Sequence, residues 1–184
     1  QFADRKQKEF LSLNDLLVKI YLEDPKMFDN NDMLITQIGA KNIDSVKAYL
    51  NNGANPNYYD YYGKTMVALA IEHRNIQILD LLAAHGADVN LKSVYGTPPV
   101  FAAIAAKDTV LLAWLKGKGA NFNVIDRDEN TALHEAVKTK DMAIIRYIVR
   151  QGVPLEPMNK NKETPLQLAE KCCPYIYEYL KKIK

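Results

Sequence analysis

The sequence predicts an all-α solenoid: stacked helix–turn–helix units joined by β-turn fingers. Three observations carry that reading. Gly53, Gly86, Gly119 and Gly152 recur at one period, 33 residues apart. Apolar residues at three- and four-residue steps precede them, as on short amphipathic helices. A small residue returns to one column at Ala70, Ala103, Ala136 and Ala169, where the first helices of neighbouring units must approach closely.

The elements follow in chain order. Leu13, Leu16, Leu17, Ile20 and Tyr21 form one stripe closed by Asp24-Pro25. This predicts an N-terminal capping helix over residues 1–28. Its polar face carries both Lys19 and Glu23, which argues against an amphipathic membrane anchor. Repeat units are expected at about 29–61, 62–94, 95–127, 128–160 and 161–184. In the second unit Thr65 is placed to cap a helix whose face is Val67, Ala70 and Ile71. Ile76 to Ala84 form the second helix. Gly86 ends it, where a positive φ suits glycine best. Residues 90–95 lose the helical period and cross to the next unit as a finger. Neither helix is long enough to stand alone, so each unit buries its apolar side on the next.

The glycine landmarks open a recurring phrase: Gly53-Ala54-Asn55-Pro56-Asn57, Gly86-Ala87-Asp88-Val89-Asn90 and Gly119-Ala120-Asn121-Phe122-Asn123. A second phrase keeps the same register in Asp60-Tyr61-Tyr62-Gly63-Lys64-Thr65, Thr131-Ala132-Leu133-His134-Glu135-Ala136 and Thr164-Pro165-Leu166-Gln167-Leu168-Ala169. Together they resemble ankyrin repeats over about residues 30–184. The departures are Pro98 in the threonine position of the third unit, and Gly152-Val153-Pro154 for the usual closing phrase. The resemblance implies a protein-binding solenoid, with partners lying in the concave surface of finger tips and first helices.

Composition narrows the alternatives. About half the residues are apolar (48%) and a quarter charged (25%), as in ordinary globular chains. Lys+Arg minus Asp+Glu is 24 − 22 = +2, too small to point to a nucleic-acid partner. The longest apolar run, Val100 to Ala106, falls far short of the roughly 20 residues that span a bilayer. Cys172 and Cys173 are adjacent, a geometry that resists a disulfide, and are read as free thiols. The chain opens on Gln1 rather than Met. A periplasmic location is expected if a signal segment was removed before it, and a cytoplasmic one otherwise.

No residues combine into a catalytic or metal-binding set, and no cofactor is expected. His134 stands where an imidazole would tie one turn to its neighbour, His85 precedes Gly86, and His73 ends a first helix on an exposed surface. The carboxylates Asp126, Asp128 and Glu129 share a solvated turn rather than a cleft. No glycine belongs to a phosphate loop. The basic tail of Lys181, Lys182 and Lys184 reads as a solvated helix end. Trp114 is assigned to the core, in the column of Leu81.

The binding surface is expected on the fingers. Tyr58-Tyr59-Asp60-Tyr61-Tyr62 places four tyrosines in five residues, on a connection of the kind that usually carries Gly, Asn, Asp or Ser. Tyrosine adds contact area and a hydrogen-bonding tip at small entropic cost. The alternative is that two of the four turn inward. The candidate partner-binding residues are Tyr58, Tyr59, Tyr61, Tyr62, His73, Tyr95, Arg127, Asp128, Lys138 and Lys160. The function expected is a non-catalytic module, monomeric when free, that occludes another protein. A bacterial self-protection or immunity-type inhibitor of an enzyme is the sharper form. An adaptor or secreted effector that scaffolds host or cytosolic proteins is the alternative.

Overall fold

A computed structural model describes residues 29–183 of the 184-residue chain. The capping helix expected over residues 1–28 lies outside the described residues. Among those described there are ten helices and no named strand. They are α1 (Asn30–Gly39), α2 (Ile43–Asn51), α3 (Met66–Glu72), α4 (Ile76–Ala84), α5 (Pro99–Ala105), α6 (Thr109–Gly117), α7 (Ala132–Thr139), α8 (Met142–Arg150), α9 (Pro165–Cys172) and α10 (Pro174–Ile183). Successive helices pair as α1/α2, α3/α4, α5/α6, α7/α8 and α9/α10, and the first helices α1, α3, α5, α7 and α9 stack in a row. Four fingers connect the pairs, at residues 53–64, 86–97, 119–130 and 152–163. Isolated antiparallel bridges, Tyr59 with Thr65 and Ile125 with Thr131, close the first and third fingers.

Capping repeats with the period. Thr65, Thr131 and Thr164 each accept a backbone N–H three residues on and start α3, α7 and α9. In α5 the position is Pro98, no side chain caps it, and Pro99 at the first helical position has no N–H to satisfy. Asn42, Asn75, Asp108 and Asp141 cap the second helices α2, α4, α6 and α8. Each finger is braced from inside by one polar side chain. Asp60, Asp126 and Asn159 each accept the N–H groups two and four residues on, and the Ser93 hydroxyl does the same.

The core is one column through the stack. Ala70, Ala103, Ala136 and Ala169 are fully buried where the first helices meet. Leu79, Leu82, Leu112, Leu115, Ile145 and Ile148 fill the matching column of second helices. Trp114 departs from its assignment. It is only half-buried, and its indole Nε1 donates to Asp80 one unit earlier at 2.9 Å. Its column lies at the margin of the second-helix row, where Leu81 is also only partly covered.

Two polar series bind the units together. On the finger side, Asn31, Asn57 and Asn90 each accept a backbone N–H from the next loop: Asn55 at 2.6 Å, Asp88 at 2.7 Å and Asn121 at 2.8 Å. The next member is Asn123, and its expected donor is Pro154, which has no N–H, so the series stops. At the turns between paired helices, Lys41, Arg74, Lys107 and Lys140 all adopt positive φ, between +53° and +58°. A side chain there costs on the order of 1 kcal/mol relative to glycine. Four cations therefore hold positions where Gly or Asn would be more stable.

Candidate functional site

The fingers and first helices enclose a concave groove of about 700 Å³. Tyr62 of the first finger and Tyr95 of the second stand at its rim, 70% and 59% exposed. Its floor is apolar: Ala68 of α3, and Pro98, Phe101, Ala102 and Ala105 of the α5 segment. Its charges are already committed. Lys64 pairs with Glu72 at 2.7 Å, and Glu135 pairs with Lys138 at 3.1 Å. Asp126 spends both carboxylate oxygens inside its own finger. The groove thus offers aromatic and aliphatic surface with a neutralised polar margin, suited to excluding water from an inserted side chain.

The fingers are fastened to one another. Val94 donates its N–H to the Gly63 carbonyl at 2.9 Å, and Lys160 does the same to Asp128 at 2.9 Å. Arg127 lies over the Tyr95 ring at 5.7 Å and donates through Nη2 to the Val94 carbonyl. Lys92 reaches the Ile125 carbonyl at 2.9 Å. Glycine is required at position 63, because a Cβ on its φ +72° backbone would lie 2.0 Å from Val94 Cγ2.

The expected site residues separate into three groups. Tyr62 and Tyr95 meet at the groove. Asp128, Lys138 and Lys160 line a smaller polar hollow of about 300 Å³ between the third and fourth fingers, with Asn130, Asn159 and Leu168. The rest serve the fold or stand apart. Tyr61 has an exposed ring, but its hydroxyl donates to Asp32 Oδ1 at 2.9 Å. Its pKa is pushed up to about 12, by desolvation first and then by the bond to Asp32 and that carboxylate's charge. Tyr59 is half-buried and its backbone closes the first finger. Tyr58 is barely exposed. Arg127 fixes Tyr95 in place. His73, expected on an exposed surface, is instead half-buried, as the C-cap of α3. Burial lowers its pKa, and the nearby Lys41 charge adds to that. In the turn of Asp126, Asp128 and Glu129 are exposed as expected, while Asp126 itself is half-buried and braces the finger.

His134 is wholly buried and ties two units together. Its Nδ1 accepts the Thr131 N–H at 3.1 Å, which leaves the proton on Nε2 to be donated to the Glu163 carbonyl at 2.8 Å. Burial lowers its pKa, against the opposing pull of that carbonyl. Cys172 and Cys173 are free thiols, one exposed and one buried. The Cys172 thiol is pushed up to about 11, by burial first and then by the neighbouring Cys173.

The floor of the groove is what sequence reasoning missed. Phe101 occupies the column that holds His134 in the next unit, so its role as a lining residue shows only once the helices are stacked.

The model of the family described as ankyrin repeats (3 copies) matches two segments, residues 9–93 and 100–183. The chain belongs to the ankyrin-repeat family. No curated protein matches it closely enough to suggest a partner. Ankyrin repeats bind other proteins and are generally non-catalytic, which makes this chain a protein–protein interaction module. Among the described residues of this ankyrin chain, no helix is long and apolar enough to cross a membrane, and no three His, Cys, Asp or Glu side chains cluster as a metal site.

Proposed function

We propose that the protein binds a segment of a partner protein in the groove between Tyr62 and Tyr95 and acts by covering it. The observation that carries this is the juxtaposition of two exposed tyrosines over an apolar floor whose neighbouring charged groups are ion-paired or, for Asp126, hydrogen-bonded within the finger. Fingers already hydrogen-bonded to one another need little further ordering on association, which favours affinity. The polar hollow with Asp128, Lys138 and Lys160 extends the contact toward the fourth finger. In this reading the chain is not an enzyme, is a monomer when free, and divides into a capping helix and units at about 29–61, 62–94, 95–127, 128–160 and 161–184. An enzyme is the partner that occlusion would serve best, as in self-protection.

The test starts with affinity capture and mass spectrometry to identify the partner, followed by titration of the purified pair. Tyr62→Ala and Tyr95→Ala are expected to weaken binding by roughly 30-fold each, the loss of a central aromatic anchor. Ile183→Ala, on the last helix away from the groove, should change it less than twofold, and all three should melt normally. Groove variants that bind like wild type would refute the reading. If the partner is an enzyme, stoichiometric loss of its activity on mixing supports inhibition; full activity in the saturated complex supports scaffolding instead.

A further inference from the structure

We infer that the edge of the solenoid formed by the helix-to-helix turns is a second docking surface, for an extended acidic segment of a partner polypeptide. Lys41, Arg74, Lys107 and Lys140 occupy that edge at a strict 33-residue spacing, all exposed and all left-handed. The helix dipole favours a cation after each first helix, but a dipole alone does not select one over the glycine or asparagine that the backbone prefers. The same cost accepted in four successive units points to use of the charge.

The charges form a row because the first helices do. Stacked helices lie roughly 8–10 Å apart, and the Arg74 guanidinium bridges one step directly, donating to the Ala106 carbonyl at 2.6 Å and meeting Asp108 at 3.4 Å. Lys41, Lys107 and Lys140 have no carboxylate in ion-pair contact among the described residues. An extended chain advances about 3.3 Å per residue, so carboxylates at every third position fall about 10 Å apart, in step with the row. A nucleic acid fits less well. Its phosphates are closer together than the cations of the row. A membrane surface usually calls on a denser cluster of four to eight cations.

The probe is a labelled peptide of Glu-Ser-Ser repeats ending in Glu, with four glutamates in all. It is compared with its Gln counterpart, with a peptide carrying the same glutamates contiguously, with oligodeoxythymidylate and with phosphatidylserine vesicles. Wild-type protein should bind the spaced acidic peptide, about tenfold more weakly at 200 mM than at 50 mM salt. Lys41→Asn, Lys107→Asn and Lys140→Asn should each weaken binding about threefold, and the triple variant about 30-fold. Asparagine tolerates the left-handed backbone, so the melting midpoint should hold or rise. A Lys→Gln set, which keeps the side-chain length, gives a second reading of the charge. Unchanged binding by the triple variant, or equal binding of the Gln peptide, would overturn the proposal. So would equal binding of the contiguous peptide, or tighter binding of the oligonucleotide or vesicles through the same lysines. Binding at the concave groove is expected to survive all of these substitutions, so the two surfaces fail or stand separately.

Discussion

Replacing His134 tests whether the last unit is held to the stack by one buried imidazole. In His134→Ala the Glu163 carbonyl loses its donor, at about 1–2 kcal/mol for a buried acceptor left unpaired. The Thr131 N–H loses its cap, for about 1 kcal/mol. The vacated ring leaves a cavity worth about 1–2 kcal/mol more. The expected loss is therefore about 3–5 kcal/mol, or on the order of 10 °C in melting midpoint for a chain of this size. His134→Gln should lose far less, because the next unit already uses glutamine in this column: Thr164 donates its N–H to Gln167 Oε1 at 2.9 Å.

Acid separates the variants further. His134 has a lowered folded-state pKa, so its contribution is complete above the unfolded value of about 6.5 and is lost as pH falls through that value toward the folded one. A proton on Nδ1 would face the Thr131 N–H that it now accepts. Chemical denaturation from pH 8 down to about pH 5 should show wild type losing stability in that window and His134→Gln staying flatter. Amide exchange should show α9 and α10 opening first in His134→Ala. A loss under about 1 kcal/mol, or an unchanged pH profile in His134→Gln, would refute the assignment.

Three further outcomes are expected. Gly63→Ala should cost about 2–4 kcal/mol, because strain at positive φ adds to the collision with Val94, whereas Gly86→Ala, with open space around its Cβ, should cost about 1 kcal/mol; urea denaturation of both, and recovery on adding Val94→Ala to the first, checks the contact. Ala103→Leu should overpack the first-helix column by about 1–3 kcal/mol; an unchanged melting midpoint would count against that column. Pro154→Asn should restore the missing donor to Asn123 and gain about 0.5–1 kcal/mol, read as a higher melting midpoint, and a lower one would show that the proline holds its loop by other means.

Much of the fold was legible because the period itself is physical. A threonine cap, a buried alanine and a positive-φ glycine recur wherever one unit must lie on the next, so Thr65, Ala70 and Gly86 could be placed from spacing alone. The binding surface was less so. Tyr58, Tyr59, Tyr61 and Tyr62 are neighbours of one residue type, yet their roles divide: Tyr61 bonds to Asp32 in the preceding unit, Tyr59 pairs with Thr65 to close its own finger, and Tyr62 stands at the rim of the groove. Arg127 holding Tyr95 and Trp114 reaching Asp80 are likewise contacts between units. Local patterning carries no information about them until the stack is built. The left-handed lysines were hidden for a different reason. Backbone propensity argues against a lysine there, and only the structure shows four basic residues in succession setting that preference aside.

The junctions compensate for one another. Between the first and second fingers, and between the second and third, an asparagine side chain accepts a backbone N–H across the gap. Pro154 removes that bond between the third and fourth. There, and not at the other two, buried polar links take over: Asn159 Nδ2 to Asn130 Oδ1 at 2.9 Å and His134 Nε2 to the Glu163 carbonyl at 2.8 Å. Where His134 has Phe101 as its counterpart, the same space is apolar and opens into the groove. The two arrangements exclude each other, because a phenylalanine cannot make the carbonyl bond and a histidine with both nitrogens engaged cannot serve as apolar floor. The stack therefore concentrates its polar stitching at the end away from the groove and leaves the middle first helices free to present a binding face.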